Sequence, residues 1–108
     1  MIKLISSERE WEELIQEQTT FFVLKHSLTC PISSNAKREY ERFSEKSETP
    51  CYLLHVQEAR QLSNLIQTKY KVRHESPQAL CFKQKKAVWH ASHHNITEKA
   101  LQNVVKEL

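Results

Sequence analysis

The residues best suited to do chemistry are Cys30-Pro31-Ile32-Ser33. Cys30 stands where an apolar run, Phe21-Phe22-Val23-Leu24, gives way to a helical pattern. Proline suits the first helical position, because its missing N–H would have no partner there. The amides of Ile32 and Ser33 are then expected to point back toward the sulfur. A helix N-terminus carries about half a positive charge and favours thiolate, the nucleophilic form, over thiol. Lys25, His26, Lys37 and Arg38 lie close enough in sequence to add positive potential. Ser33 stands where a dithiol enzyme has its second cysteine. Its hydroxyl can donate to a thiolate but cannot resolve a mixed disulfide. The plain alternative is a helix that begins with a cysteine that merely packs.

Strand and helix patterns alternate on either side of this motif. Ile2 to Ile5 reads as a short strand, and Ser7 with Glu10 has capping-box spacing. Trp11, Leu14 and Ile15 then mark an amphipathic helix ending near Gln18. Phe21–Leu24 is a buried strand. After Pro31, Ile32, Ala36, Tyr40 and Phe43 recur at helical steps until Pro50 breaks the chain. Cys51–Val56 is a second buried strand, and Ala59, Leu62, Leu65 and Ile66 mark a third helix ending near Tyr70. Ser76-Pro77 is a turn signal. Ala79–Phe82 and Ala87–His90 read as strands joined by the polar hairpin loop 83–86. Asn95 and Glu98 repeat the capping-box spacing ahead of a final helix carrying Leu101, Val104, Val105 and Leu108. The order β-α-β-α-β-α-β-β-α predicts an α/β fold: a parallel part with right-handed crossovers, then an antiparallel hairpin. The 108 residues read as one domain, 1–108, with no linker or repeat.

Composition narrows the chemistry. The chain has no Gly, and its 13 acidic residues are all Glu. A P-loop, a dinucleotide fingerprint and an EF-hand all need glycine, so these are excluded. Two-metal phosphoryl chemistry is disfavoured without Asp. A net charge of +3 is too small to argue for nucleic acid. No run approaches the length of a membrane span. With three cysteines, no Cys-x-x-Cys and no signal peptide, the expected location is the cytoplasm, with thiols kept reduced. The six histidines show no ligand spacing, so no metal site is expected; adjacent His93 and His94 would face opposite sides of a strand. Trp11 and Trp89 read as packing residues, and Lys83, Lys85 and Lys86 as a solvated hairpin tip.

The element order, the Cys30-Pro31-Ile32-Ser33 motif and Ser76-Pro77 together resemble a thioredoxin-like fold over the whole chain. The segment Lys25-His26-Ser27-Leu28-Thr29-Cys30-Pro31-Ile32-Ser33 more specifically resembles the monothiol bacilliredoxins of the YtxJ-like family. The resemblance implies a central mixed sheet flanked by helices. It implies that Pro77 is cis and sits against the nucleophile, and that Ser76 offers its backbone to the substrate. Thioredoxins carry a buried acid six residues before the nucleophile and Trp directly before it; here those positions are Leu24 and Thr29. Both departures, with Ser33, point away from a dithiol reductase. Lys25 is similar to the lysine with which glutaredoxins hold a substrate carboxylate. Arg73 and His74, just ahead of Ser76-Pro77, are expected near Cys30 and suited to the malate carboxylates of bacillithiol. Cys30 is thus the expected catalytic residue. Lys25, Thr29, Pro31, Ser33, Arg73, His74, Ser76 and Pro77 are expected to border the substrate.

The implied activity is removal of bacillithiol from S-bacillithiolated proteins through a Cys30 mixed disulfide. Bacillithiol is then a co-substrate, no cofactor is needed, and the setting is redox homeostasis and stress response. Glutathione or coenzyme A would satisfy the same physics. Two other classes compete: a redox-inactive thioredoxin-like binding module, and a glutaredoxin-like iron–sulfur carrier. The carriers have Gly and Phe after the nucleophile, where this chain has Pro31 and Ile32. Cys51 and Cys81 are expected to be buried structural thiols, because strand geometry keeps them more than about 7 Å from Cys30, beyond the reach of a disulfide.

Overall fold

The computed structural model of the chain describes residues 2–108. The elements are β1 (Ile2–Leu4), α1 (Glu8–Glu17), β2 (Thr20–His26), α2 (Pro31–Lys46), β3 (Cys51–His55), α3 (Arg60–Tyr70), β4 (Gln78–Lys83), β5 (Lys86–Ser92), a short 3-10 turn (His93–Asn95) and α4 (Glu98–Glu107). Five strands form one sheet in the order β1-β3-β2-β4-β5. The first three run parallel, while β4 pairs antiparallel with β2 and with β5. This is the expected mixed sheet flanked by helices.

β2 lies at the centre and is buried on both faces, which is why it reads as a continuous apolar run. Phe21 and Val23 join Trp11, Leu14, Leu54, Leu62, Ile66 and Phe82 in the core under α1 and α3. Phe22 and Leu24 join Ala36, Tyr40, Phe43, Cys51, Cys81 and Leu101 in the core under α2 and α4. Trp11 is fully buried and meets Phe21, Tyr70 and Phe82 edge-on. Trp89 packs at the border of the second core.

Local signals account for the helix ends. Ser7 caps α1 in a complete capping box with Glu10. The second expected box does not form. Thr97, not Asn95, caps α4 by accepting from the Ala100 amide at 3.1 Å, because residues 93–95 are taken into the 3-10 turn. His93 and His94 accordingly lie in that turn and not in a strand. The hairpin loop is tighter than expected: only Gln84 and Lys85 are unpaired, both at positive φ (50° and 66°). A two-residue hairpin turn needs that left-handed backbone, and this chain supplies it without glycine.

Candidate active site

Cys30 is the N-cap of α2, with extended backbone (φ −99°, ψ 122°), and Pro31 opens the helix. The thiol is partly exposed, whereas Cys51 and Cys81 are buried. The sulfur makes no capping hydrogen bond. The expectation that the Ser33 amide turns to the sulfur is corrected. It donates to the Cys30 carbonyl at 3.1 Å, as does the Ser34 amide at 3.4 Å. These are the opening bonds of the helix, and they hold its positive end behind the thiol without a direct bond to it.

Ser33 is also placed differently. It is fully buried, and its Oγ accepts from the Ser27 amide at 3.2 Å, so the hydroxyl ties down the loop before Cys30. A second side chain braces the same loop from the far side. Gln57, just after β3, accepts from the Leu28 amide through Oε1 at 3.1 Å. Its Nε2 donates to Ser27 Oγ at 2.9 Å and to Thr29 Oγ1 at 3.4 Å. Thr29 therefore faces Gln57, and Leu28 is carried outward, 51% exposed. Sequence reasoning missed Gln57. Nothing in its type or spacing marked it, because its partners lie about thirty residues away.

The Ser76–Pro77 peptide is cis, as the resemblance implied. β2 and β4 are antiparallel, with Lys25 opposite Gln78. The residues that follow β2, including Cys30, and those that precede β4, including Pro77, therefore emerge at one end of the sheet. The Pro77 carbonyl accepts from the His93 amide at 3.1 Å, and Glu75 accepts from Ser92 Oγ at 2.7 Å. Ser76 Oγ is buried with no protein partner among the described residues. Gln78 Nε2 donates to the Arg73 carbonyl at 2.9 Å, while Arg73 is itself exposed.

Lys25 does not lie on the surface where a substrate carboxylate would meet it. It shares the face of Phe21 and Val23, and its Nζ ends inside, 3.1 Å from the Ser63 carbonyl of α3 and 3.3 Å from His74 Nδ1. Burial brings its pKa from 10.5 down to about 8. His74 is half-buried beside it; burial first, then Lys25 and Arg60, hold its pKa below the usual histidine range. On the opposite face, His26 and His55 end neighbouring strands with ring centroids 5.6 Å apart. Burial, Lys37 and His55 push the pKa of His26 down. Among the described residues, no cluster of three or more His, Cys, Asp or Glu could hold a metal, and no helix is long and apolar enough to cross a membrane.

The two cysteines elsewhere sit together but apart from Cys30. Both Cys51 and Cys81 pair in register with Phe22, one on each side of β2. Two strand spacings separate them by roughly 10 Å, beyond the 7 Å or so that a disulfide spans. Burial pushes their thiols up, to about 11 for Cys51 and about 12 for Cys81.

The sheet order, the cis proline ahead of β4 and a thiol at the α2 N-terminus together define a thioredoxin-fold protein. Solved structures of that fold superpose over nearly the whole chain. A single-residue mutant of thioredoxin from Halobacterium salinarum is 15% identical with a TM-score of 0.79, covering 98% of this chain and 88% of its own. Thioredoxin from Fasciola hepatica is 18% identical with a TM-score of 0.78, covering 97% of each. A protein described as a candidate oxidoreductase with a thioredoxin fold is nearer: 39% identical, TM-score 0.92, covering 96% of this chain and 93% of its own. The chain belongs to the monothiol bacilliredoxin family, whose model, Monothiol bacilliredoxin BrxC, matches residues 3–101. It is a thiol–disulfide oxidoreductase.

Proposed function

We propose that Cys30 is the nucleophile and that the chain removes bacillithiol from mixed disulfides on proteins. One observation carries this reading. Among the described residues, the one partly exposed thiol stands at a helix N-terminus, on the same sheet end as the cis-Pro77 loop, while Cys51 and Cys81 are buried.

The reaction is two exchanges with no net oxidation. Cys30 thiolate attacks the bacillithiol sulfur of the capped protein. The S–S bond breaks, the target leaves as its thiolate, and Cys30 holds bacillithiol. A second small thiol, as thiolate, then attacks the bacillithiol sulfur and releases Cys30 thiolate. Rates follow thiolate fraction, nucleophilicity and leaving-group pKa. The residues around the thiol suit a protein substrate: exposed Thr29 and Pro31 flank it, Leu28 just before them is exposed, and half-buried Ser76, next to buried Pro77, lies at the same end of the sheet. Arg73 and His74 extend that border toward a small anionic thiol. The reaction needs no cofactor and fits the cytoplasm during recovery from oxidative stress.

The test is turnover on one protein carrying either a bacillithiol or a glutathione cap. The expected result is release of bacillithiol by wild type and none by Cys30→Ala, with the glutathione cap removed more slowly. Full activity in Cys30→Ala would overturn the assignment of Cys30; equal turnover of both caps would overturn that of bacillithiol.

A further inference from the structure

The chain buries one cation without an anion beside it. Lys25 is fully buried, and among the described residues its Nζ meets only the Ser63 carbonyl and His74 Nδ1. Neither partner is negative. An ammonium taken out of water without a counter-ion is strongly destabilising. The group nevertheless points at the loop that leads to Pro77. His74 in that loop is fixed by three more contacts: its amide donates to Gln67 Oε1, Ser63 Oγ lies 3.2 Å from Nδ1, and Gln78 holds the neighbouring Arg73 carbonyl.

This geometry dictates where the ring proton sits. Lysine ammonium only donates, so Nδ1 is the acceptor and the proton is on Nε2. Nε2 has no protein partner among the described residues. The charged groups facing the ring are Lys25 from β2, Arg60 from α3 and Glu75 from its own loop; with burial, the two cations keep it neutral.

We propose that Lys25 is a positioning residue acting through His74: its ammonium polarises the imidazole, whose Nε2–H donates to a carboxylate on the small-thiol half of the mixed disulfide. The bound anion supplies, one ring away, the counter-ion that Lys25 otherwise lacks. The proposal rests on the exchange reaction above and assigns its preference for an anionic small thiol.

The experiment compares mixed-disulfide formation at Cys30 of the full chain with dithiodiglycolate, which is anionic, and hydroxyethyl disulfide, which is neutral. Wild type is expected to favour the anion. His74→Ala and Lys25→Met should each lower the anionic-to-neutral rate ratio about tenfold, the scale of one charge-assisted hydrogen bond. The double variant should lose no more than either single, because the two act as one unit. Lys25→Gln keeps an N–H for the ring and removes the charge; it should lose the preference while the protein stays folded. By NMR, the His74 titration should move up in Lys25→Met. A wild-type ratio retained in Lys25→Gln, or no preference in wild type, overturns the proposal. Failure of hydroxyethyl disulfide to modify Cys30 sinks the exchange reading instead. The proposal is then read by NMR alone: dithiodiglycolate must shift the His74 ring signals in wild type and not in Lys25→Gln, and no wild-type shift overturns it.

Discussion

Lys25 titrates well below an ordinary lysine, at about 8 against 10.5 unfolded. Between those values the unfolded chain binds more protons, so this group makes stability rise with pH. The contribution is at most about 3 kcal/mol, fully present above 10.5 and lost as pH falls through about 8. Cys51 and Cys81 act with the opposite sign. Their folded pKa values are raised above 9.0, so the stability they give is lost as pH climbs past that value. Urea unfolding of wild type and Lys25→Met at matched pH cancels the thiol contribution. The stability of wild type relative to the variant should increase from pH 8 to 10.5, and a flat difference would refute the buried charge. At acid pH, His26 and His74 act with the same sign as Lys25. Their stabilisation is present above 6.5 and disappears as pH falls through their lower folded values. His26→Gln should flatten the acid limb of the stability curve.

The loop that presents Cys30 is tied to its neighbouring elements by two side chains. Gln57 reaches from the end of β3, and Ser33 from the first turn of α2. Gln57→Ala removes the acceptor of the Leu28 amide and two donors to the loop. The expected result is faster amide exchange at Leu28 and a loss of about tenfold in the Cys30 exchange rate, the scale of about 1.4 kcal/mol. Unchanged protection at Leu28 would count against the brace. Ser33→Ala leaves the Ser27 amide without its acceptor and should cost about 1–3 kcal/mol in thermal or urea unfolding. Most exchange activity should survive, because the hydroxyl holds the loop and does not bond the sulfur. Ser7→Ala, which breaks the capping box of α1, should cost about 1 kcal/mol and leave exchange alone, because no bond of that box reaches Cys30 or its loop.

The whole molecule keeps its thiols in two compartments. β2 carries Phe22 between Cys51 and Cys81 at one end, and Cys30 follows its other end. Four residues of strand from Phe22 to His26 already span about 13 Å. Oxidation of the folded chain with diamide should give no intramolecular disulfide. Mass spectrometry under native conditions should show no loss of two hydrogens, and the same treatment in urea should produce it. A loss of two hydrogens from the native chain would mean that the fold opens to bring a buried thiol to Cys30.

Much of this was legible from the chain. The alternation of apolar runs with helical spacings foretold the element order, because a strand buried on both faces is apolar throughout and a helix buries every third or fourth residue. Cys30-Pro31 marked the junction, because proline belongs at a helix start. Lys25 was half legible: it shares the parity of buried Phe21 and Val23, yet its likeness to a glutaredoxin lysine suggested a role in holding a substrate carboxylate. Gln57, Ser63 and the true partner of the Ser33 hydroxyl were silent, because hydrogen bonds between elements depend on how the layers dock and leave no local spacing behind. The elements, and the thiol that stands at a helix start, could be read from the residues alone, since both follow from short-range sterics and the pattern of burial. The inward turn of Lys25 to His74 and the hold of Gln57 on the loop before the thiol came from folding, because those contacts join residues about thirty to fifty apart that meet through the docking of neighbouring elements on β2.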